Sequence, residues 1–215
     1  QNNLRLDVNY TTESSGHELA FAKTLVQREN FDQDTFSFGT KGTVERVEYL
    51  GQTSLTQRSR LVYGLDWEKE SITSEQQSRN NIGYYGEYQS ELFDNLYVTA
   101  GLRYDDNDDF GKHTSYRLSS AYIWAVGDNE FKLRGAYGTG FRAPSLFEVE
   151  YNRGSYAYPP AASTALQEET TQGYEVAIEY STNNGAQFEA VYFNQQIEDS
   201  IYFDLENFSG YLQDI

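Results

Sequence analysis

The chain has 215 residues, only 38% of them hydrophobic but 16% aromatic, and its formal net charge at pH 7 is -17. The acidic charge argues against a nucleic-acid partner, because affinity for nucleic acid comes largely from Lys and Arg on phosphates. The lack of cysteine excludes a disulfide framework and a cysteine metal site. The sequence has no apolar run long enough for a transmembrane helix, and its first residues do not resemble a secretory signal peptide.

Apolar and polar residues alternate with a period of two along most of the chain, which is typical of β-strands. The clearest example has one apolar face made of Leu96, Val98, Ala100, Leu102 and Tyr104. Aromatic residues suit such a half-buried pleated surface. The pattern predicts ten or eleven strands, near residues 4–10, 18–28, 43–53, 60–67, 82–92, 96–104, 116–124, 130–137, 174–180 and 188–192, with the last one starting at 209.

The predicted connections alternate in length. Short turns fall at residues 14–16, 57–59, 94–95, 127–129 and 183–185, where Asn-Asn-Gly is a strong hairpin signal. Longer polar loops are predicted at residues 29–42, 71–81, 105–112 and 138–169. Since successive connections of an antiparallel meander lie at opposite ends, all the short turns share one end and all the long loops share the other.

This asymmetry favours an all-β, antiparallel up-and-down meander that forms part of an outer-membrane β-barrel. Such barrels have short turns on one side, long loops on the other, an apolar lipid face with aromatic girdles, and a polar lumen. Aromatic residues fall near predicted strand ends, as girdles require: Tyr10, Trp67, Tyr104, Trp124, Tyr137 and Tyr180. A soluble β-sandwich or propeller with solvated polar faces is the alternative at this point.

The stretch 135–147 is interpreted as a strand that breaks at Gly138 and Gly140 and opens a long region without strand pattern. Residues 137–148, which read Y-G-T-G-F-R-A-P-S-L-F-E, resemble a segment of TonB-dependent outer-membrane receptors in which a barrel strand enters an external loop. Residues 166–176, L-Q-E-E-T-T-Q-G-Y-E-V, are similar to that family's run into the next strand, although Glu168 stands where the family usually has Pro. Residues 192–201 resemble the strand and loop that follow.

The resemblance implies a fold and a function. The family barrel has about 22 strands around a plugged lumen, so residues 1–215 are expected to be a partial barrel domain without the plug, the TonB box or the C-terminal aromatic strand. The chain is expected to lie in outer-membrane lipid as a fragment of a receptor for active uptake of a scarce small ligand, such as an iron–siderophore, haem or cobalamin. TonB would act through the missing plug, no bond of the ligand would change, and no cofactor is needed.

Two groups of residues are candidate sites. An aromatic external loop with Tyr151, Tyr156 and Tyr158 is suited to stacking on a ligand, with loop packing as the alternative interpretation. Arg142 is a further candidate for ligand contact, against pairing with carboxylates of the lumen or plug. A calcium site is the second candidate, because carboxylates are hard oxygen ligands, although these four lack the spacing of a defined calcium loop: Asp105, Asp106, Asp108 and Asp109.

Other functions remain open at this point. A passive porin or adhesin barrel has the same strand pattern, and a barrel-embedded hydrolase is a further alternative. A hydrolase would need a nucleophile or paired carboxylates, and His113 beside the acidic loop is the one candidate. A partial barrel also has two open edges, and open edges favour pairing. We therefore expect self-association of two copies through these edges, or closure into a smaller barrel.

Overall fold

The computed structural model describes residues 1–72 and 77–214, and within them ten long strands form one antiparallel sheet in sequential order. A short helix and a 3-10 turn lie between the eighth and ninth strands, and two further short strands pair with each other after the tenth. The strands are β1 Asn2–Thr11, β2 Ser15–Asp32, β3 Thr35–Thr56, β4 Ser59–Ile72, β5 Gln77–Leu92, β6 Leu96–Asn107, β7 Gly111–Val126, β8 Asn129–Arg142, β9 Glu169–Ser181, β10 Gln187–Glu198, β11 Ile201–Phe203 and β12 Tyr211–Gln213. The helix is α1 Leu146–Arg153, and the 3-10 turn is Ala161–Ser163. The predicted meander is confirmed, with ten strands in the main sheet. The strand predicted from residue 209 corresponds to β12, which pairs with β11 outside that sheet.

The two faces of the sheet differ in chemistry, as the period of two requires. On β6, Leu102 and Tyr104 are exposed on the outer face, whereas Arg103 and Asp105 on the inner face are hydrogen-bonded to each other. The same division continues across the sheet because the register keeps residues of one face opposite each other. The outer face is apolar and the inner face is charged.

Aromatic side chains form two belts on the outer face. Toward the end with the predicted short turns, Tyr122, Trp124, Phe131, Tyr180 and Phe188 form a continuous chain with ring centroids 4.7–6.2 Å apart. Toward the other end, Tyr116 lies 5.8 Å from Tyr137, and Tyr174 lies 6.0 Å from Tyr192. Between Phe131 and Tyr137 the strand rises about 20 Å. Two belts that flank an apolar band are typical of barrels that cross the outer membrane.

A buried charge cluster ties the inner face of three strands together. The guanidinium of Arg103 donates to both carboxylate oxygens of Asp66, at 2.7 and 3.1 Å, and to both of Asp105, at 2.8 and 2.7 Å. Asp66 and Asp105 are buried. Gly83 makes room for the cluster, because a Cβ there would lie 2.1 Å from a guanidinium nitrogen.

Several predicted loops are strands instead. The loop predicted at 29–42 is a hairpin, in which β2 and β3 are joined by Gln33 and Asp34, both with positive φ. The acidic loop predicted at 105–112 is reduced to residues 108–110. The prediction was wrong because a ladder of backbone hydrogen bonds does not need an apolar face, so polar hairpins extend beyond the apolar band. Of the loop predicted at 71–81, residues 73–76 lie outside the described residues.

The predicted break at Gly138 is also wrong. β8 continues to Arg142 and stays paired with β9 as far as the Arg142–Glu169 pair. Gly138 and Gly140 have ordinary strand backbones without positive φ, and a Cβ at Gly140 would meet nothing within 4 Å. These glycines therefore add no side chain to the inner face and do not bend the strand.

β1 and β10 are the edges of the sheet, and within the described residues they do not pair with each other. The residues of both strands are exposed. The predicted closure into a smaller barrel is therefore not observed, and pairing of the edges with a second copy stays a prediction. Among the residues with a described conformation, no helix has the length and apolarity to cross a membrane.

Candidate ligand site

Residues 143–168 and 199–214 form a folded unit, here called the cap. It lies at the end of the sheet where β8 and β10 end, opposite the end with the short turns. Its helix α1 begins with a capping box. The Ser145 hydroxyl accepts from the backbone N–H of Glu148 at 3.2 Å, and the Glu148 carboxylate accepts from the backbone N–H of Ser145 at 2.7 Å. These bonds satisfy N–H groups that a helix start otherwise leaves free, and they fix where α1 begins.

Two side-chain amides join the halves of the cap. The side chain of Asn152, buried in the last turn of α1, donates to the carbonyl of Tyr211 and accepts from its N–H, both at 2.8 Å. The side chain of Gln213 accepts from the N–H of Gln167 at 2.8 Å and donates to its carbonyl at 3.0 Å. Each side-chain amide bonds to both the N–H and the carbonyl of one residue, as a neighbouring β-strand would. The Asn152 amide thus joins α1 to β12, and the Gln213 amide joins β12 to residue 167.

An aromatic cluster fills the space between the helix and the hairpin. The Tyr151 ring lies 5.7 Å from Phe203 and 5.6 Å from Tyr211, in edge-to-face arrangements, and 6.0 Å from Phe147. Edge-to-face aromatic pairs add about 0.5–1.5 kcal/mol each beyond their burial. This cluster is the apolar core of the cap.

Arg142 connects the cap to the sheet. Its guanidinium donates to Glu169 at 2.5 Å and to Glu148 at 3.0 Å, and Glu169 also accepts from the backbone N–H of Ile201 at 2.6 Å. The hydrogen bond from Arg142 is the main reason that the pKa of Glu169 is lowered, and the same pair raises the pKa of Arg142. Arg142 therefore links β8 to α1 and β9, and through Glu169 to β11.

Arg79 makes a second connection, on the inner face of β5. Its buried guanidinium donates to the carbonyl of Pro144 at 2.7 Å and to Glu70 at 2.6 Å. Phe110 lies 5.6 Å from the same guanidinium, within the range of a cation–π contact. The cap therefore bends back from β8 toward β5, and α1 contacts β4 and β5.

The turn between β11 and β12 is organised by one carboxylate. Asp204 is buried and accepts from the backbone N–H groups of Glu206 and Asn207, at 3.1 and 3.0 Å, and from the Ser209 hydroxyl at 2.7 Å. Since hydrogen bonds to the charged form favour that form, these donors, with the Asn207 N–H first, lower the pKa of Asp204 to about 2.

A cavity of about 750 Å³ lies between the cap and the turn that joins β6 to β7. Its lining combines apolar side chains, such as Leu146 and Phe110, with polar groups, among them Asp109, Arg153 and Glu168. Its volume is within the range of pockets that hold small molecules, about 300–1,000 Å³. Its volume and its place beneath the cap make it the candidate site for ligand contact.

The structure separates the residues that the sequence analysis grouped together. Arg142 is occupied by two carboxylates, and Tyr151 belongs to the aromatic cluster, so both hold the cap together. Tyr156 and Tyr158 are exposed, at 69% and 48%, and the hydroxyl of Tyr158 donates to the carbonyl of Asn207. Ligand contact by these two tyrosines stays a prediction.

The four aspartates proposed as a calcium site do not converge. The Asp105 carboxylate is occupied by Arg103, Asp106 lies on the opposite face of β6, and Asp108 accepts from Asn80 on β5 at 2.8 Å. The backbone N–H of Asp109 donates to the side-chain oxygen of Asn107. Over the described part of the chain, no group of three or more acidic or histidine side chains is arranged to hold a metal ion, so the geometry gives the calcium interpretation no support.

Sequence reasoning missed the residues that build the cap. The pattern Ser145-x-x-Glu148 is a readable helix-start signal, and it was present in the segment interpreted as a loop. Asn152 and Gln213 carry no local signal, because their partners lie far away in sequence. Asp204 bonds to residues two to five positions ahead, so it carries only the general turn preference of aspartate.

Comparison with known proteins agrees with this architecture. The family model described as "TonB dependent receptor-like, beta-barrel" matches residues 1–213. The chain is similar to the vitamin B12 transporter BtuB of Photobacterium profundum, with 24% identity over 82% of the chain and 28% of that protein. It is also similar to the iron-regulated outer membrane virulence protein of Vibrio cholerae, with 26% identity over 91% of the chain and 27% of that protein.

Solved structures show the same fold. The siderophore receptor PirA of Pseudomonas aeruginosa superimposes with a TM-score of 0.76 at 20% identity, over 93% of this chain and 39% of that one. A mutant of the ferric enterobactin receptor PfeA of the same organism gives a TM-score of 0.74 at 18% identity, over 93% and 34%. The chain spans less than a third of the length of these curated relatives. The chain belongs to the family of TonB-dependent receptor β-barrels.

Proposed function

We propose that this chain is part of a receptor that takes up a scarce small ligand across the outer membrane with energy delivered through TonB. The observation that carries the proposal is a folded cap with a cavity of about 750 Å³ at one end of a sheet with an apolar, aromatic-belted outer face. Relatives named for vitamin B12 and siderophore transport support the same class of ligand. Iron–siderophores, haem and cobalamin are the candidates.

Each part of the chain has its own task in this proposal. The outer face contacts lipid, and the charged inner face contacts a plug domain that lies in the lumen. We propose that Tyr156 and Tyr158, which are exposed on the cap, stack on the ligand. The ligand is bound and moved without any change to its bonds, so we propose no catalytic role for this chain.

The open edges fit the same proposal. β1 and β10 expose their backbone groups, and an unpaired edge in lipid leaves polar groups unsatisfied at several kcal/mol each. We propose that further strands of the same receptor cover both edges. The alternative is that two copies of this sheet pair through their edges. A measured molecular mass of twice that of one chain would reveal such a dimer.

Growth rescue tests the function. The full-length receptor would be expressed in a bacterial strain without its own uptake receptors, supplied in turn with iron–siderophores, haem and cobalamin as limiting nutrient. We expect growth on at least one of them, and only when TonB is present. Growth that is independent of TonB would indicate a passive pore, and failure on every ligand would contradict the receptor assignment.

A further inference from the structure

We propose that the cavity beneath the cap accepts an uncharged or cationic ligand and rejects polyanionic chelates such as a trianionic ferric tris-catecholate. This inference rests on the proposed function, since it assigns a charge class to the ligand of the same receptor. It follows from the carboxylates on the cavity lining and from the pairing of Arg79 and Arg142 beside the cap.

Two arginines beside the cap are already paired. Arg79 is bound by Glu70, and Arg142 by Glu148 and Glu169. An anionic ligand could bind either of them only by displacing a carboxylate, and removing a partner from a buried guanidinium such as Arg79 leaves an uncompensated buried charge. Arg153, on the cavity lining, is exposed and lies 3.4 Å from Glu150, so its charge offsets one carboxylate of the lining.

Carboxylates dominate the rest of the site. The cavity lining contains Asp109 and Glu168. Glu168 lies 3.7 Å from the ring of His113. The two segments of the cap, 143–168 and 199–214, contain seven acidic residues and one basic residue. The lining therefore holds two carboxylates and one arginine, a net negative formal charge.

The size of the effect follows from Coulomb's law. A unit charge about 8 Å from a carboxylate changes the affinity of a ligand by about two- to thirtyfold for effective dielectric constants between about 80 and 20. Two carboxylates act with opposite sign on a cation and on a trianion, so they separate these classes by at least about tenfold in affinity. The apolar part of the lining, such as Leu146 and Leu166, gives contact area to an uncharged ligand.

Binding to the full-length receptor in detergent tests the inference, with three probes of similar size: a neutral ferric trihydroxamate, a monocationic amine-bearing trihydroxamate, and a trianionic ferric tris-catecholate. We expect the trianion to bind at least about tenfold more weakly than the other two. The variant with Asp109→Asn and Glu168→Gln should weaken binding of the monocation about three- to tenfold, strengthen binding of the trianion, and change the neutral probe less than about twofold. Glu206→Gln with Asp214→Asn, exposed cap residues outside the cavity lining, is the matched control and should leave all three affinities within about twofold.

The outcomes separate the inference from the proposed function. Tightest binding of the trianion by the unmodified receptor, or an unchanged ratio of monocation to trianion affinity in the Asp109 and Glu168 variant, would overturn the charge assignment and leave the uptake function standing. If no probe binds and none of the uptake ligands supports growth, the proposed function fails and the inference with it.

Discussion

In the sheet, strands that are neighbours in space are also neighbours in sequence, whereas in the cap the amides that join helix and hairpin reach 46 to 59 residues along the chain. The sheet repeats one rule, apolar outward and polar inward, and each added hairpin extends it. The cap has no repeat, and a few side chains with specific partners hold it. We therefore expect substitutions in the sheet to act on global stability and those in the cap to act locally, on ligand binding.

The largest effect is expected at the buried charge cluster of the sheet. Arg103→Ala would leave Asp66 and Asp105 without their guanidinium, and breaking a buried ion pair by removing one partner costs about 3–5 kcal/mol. We expect about 3 kcal/mol lower free energy of unfolding for the receptor in lipid, measured by urea titration. Arg60→Ala removes an exposed arginine with a single bond to Gln89 and should cost less than about 1 kcal/mol; equal losses for both variants would show that the cluster adds no stability.

A smaller and local effect is expected in the cap. Asn152→Ala removes both hydrogen bonds to Tyr211 and leaves that backbone pair unsatisfied, a loss of about 2 kcal/mol. Hydrogen exchange should become faster at residues 201–213 and in α1, while the protection of β4 to β8 stays unchanged. The exposed Asn194→Ala on β10 is the control. Faster exchange throughout the sheet would mean that cap and sheet unfold as one unit.

The capping box offers a finer test of the same local unit. Ser145→Ala removes the side-chain bond to the N–H of Glu148 and should cost about 1 kcal/mol, whereas Ser145→Asp should retain the cap. Exchange rates at the first turn of α1 would follow this order. No difference between the two variants would indicate that Arg142, through its bonds to Glu148, fixes the helix start by itself.

The smallest effect at neutral pH concerns the β11–β12 turn. Because the pKa of Asp204 is lowered to about 2, the stability it contributes is fully present above the unfolded value near 3.8 and is lost as pH falls through about 2. NMR signals of residues 204–209 should therefore stay native-like at pH 4 and change between about pH 3 and pH 2. Asp204→Asn should abolish this transition; a transition near pH 4 would contradict the assigned hydrogen bonds.

The sheet was predictable from sequence because its rule is local. The alternation at residues 96–104 and the turn signal at 183–185 predict faces and register without knowledge of the fold. The extended polar hairpin of β2 and β3 was missed because its ladder depends on backbone bonds, which leave no apolar pattern. In the cap, the capping box at Ser145 and Glu148 has a local signature, whereas the roles of Asn152 and Arg79 depend on partners that become neighbours after the chain has folded.

Replacement of residues 145–166 by a short Gly/Ser linker in the full-length receptor tests the division between sheet and cap most directly. The linker removes α1 and the cavity but keeps the Arg142–Glu169 pair and all ten strands of the sheet. We predict that the receptor still assembles in the outer membrane, with the heat-dependent gel migration of a folded barrel, while affinity for its ligand falls at least about 100-fold. Unchanged affinity, or loss of barrel assembly, would contradict the account.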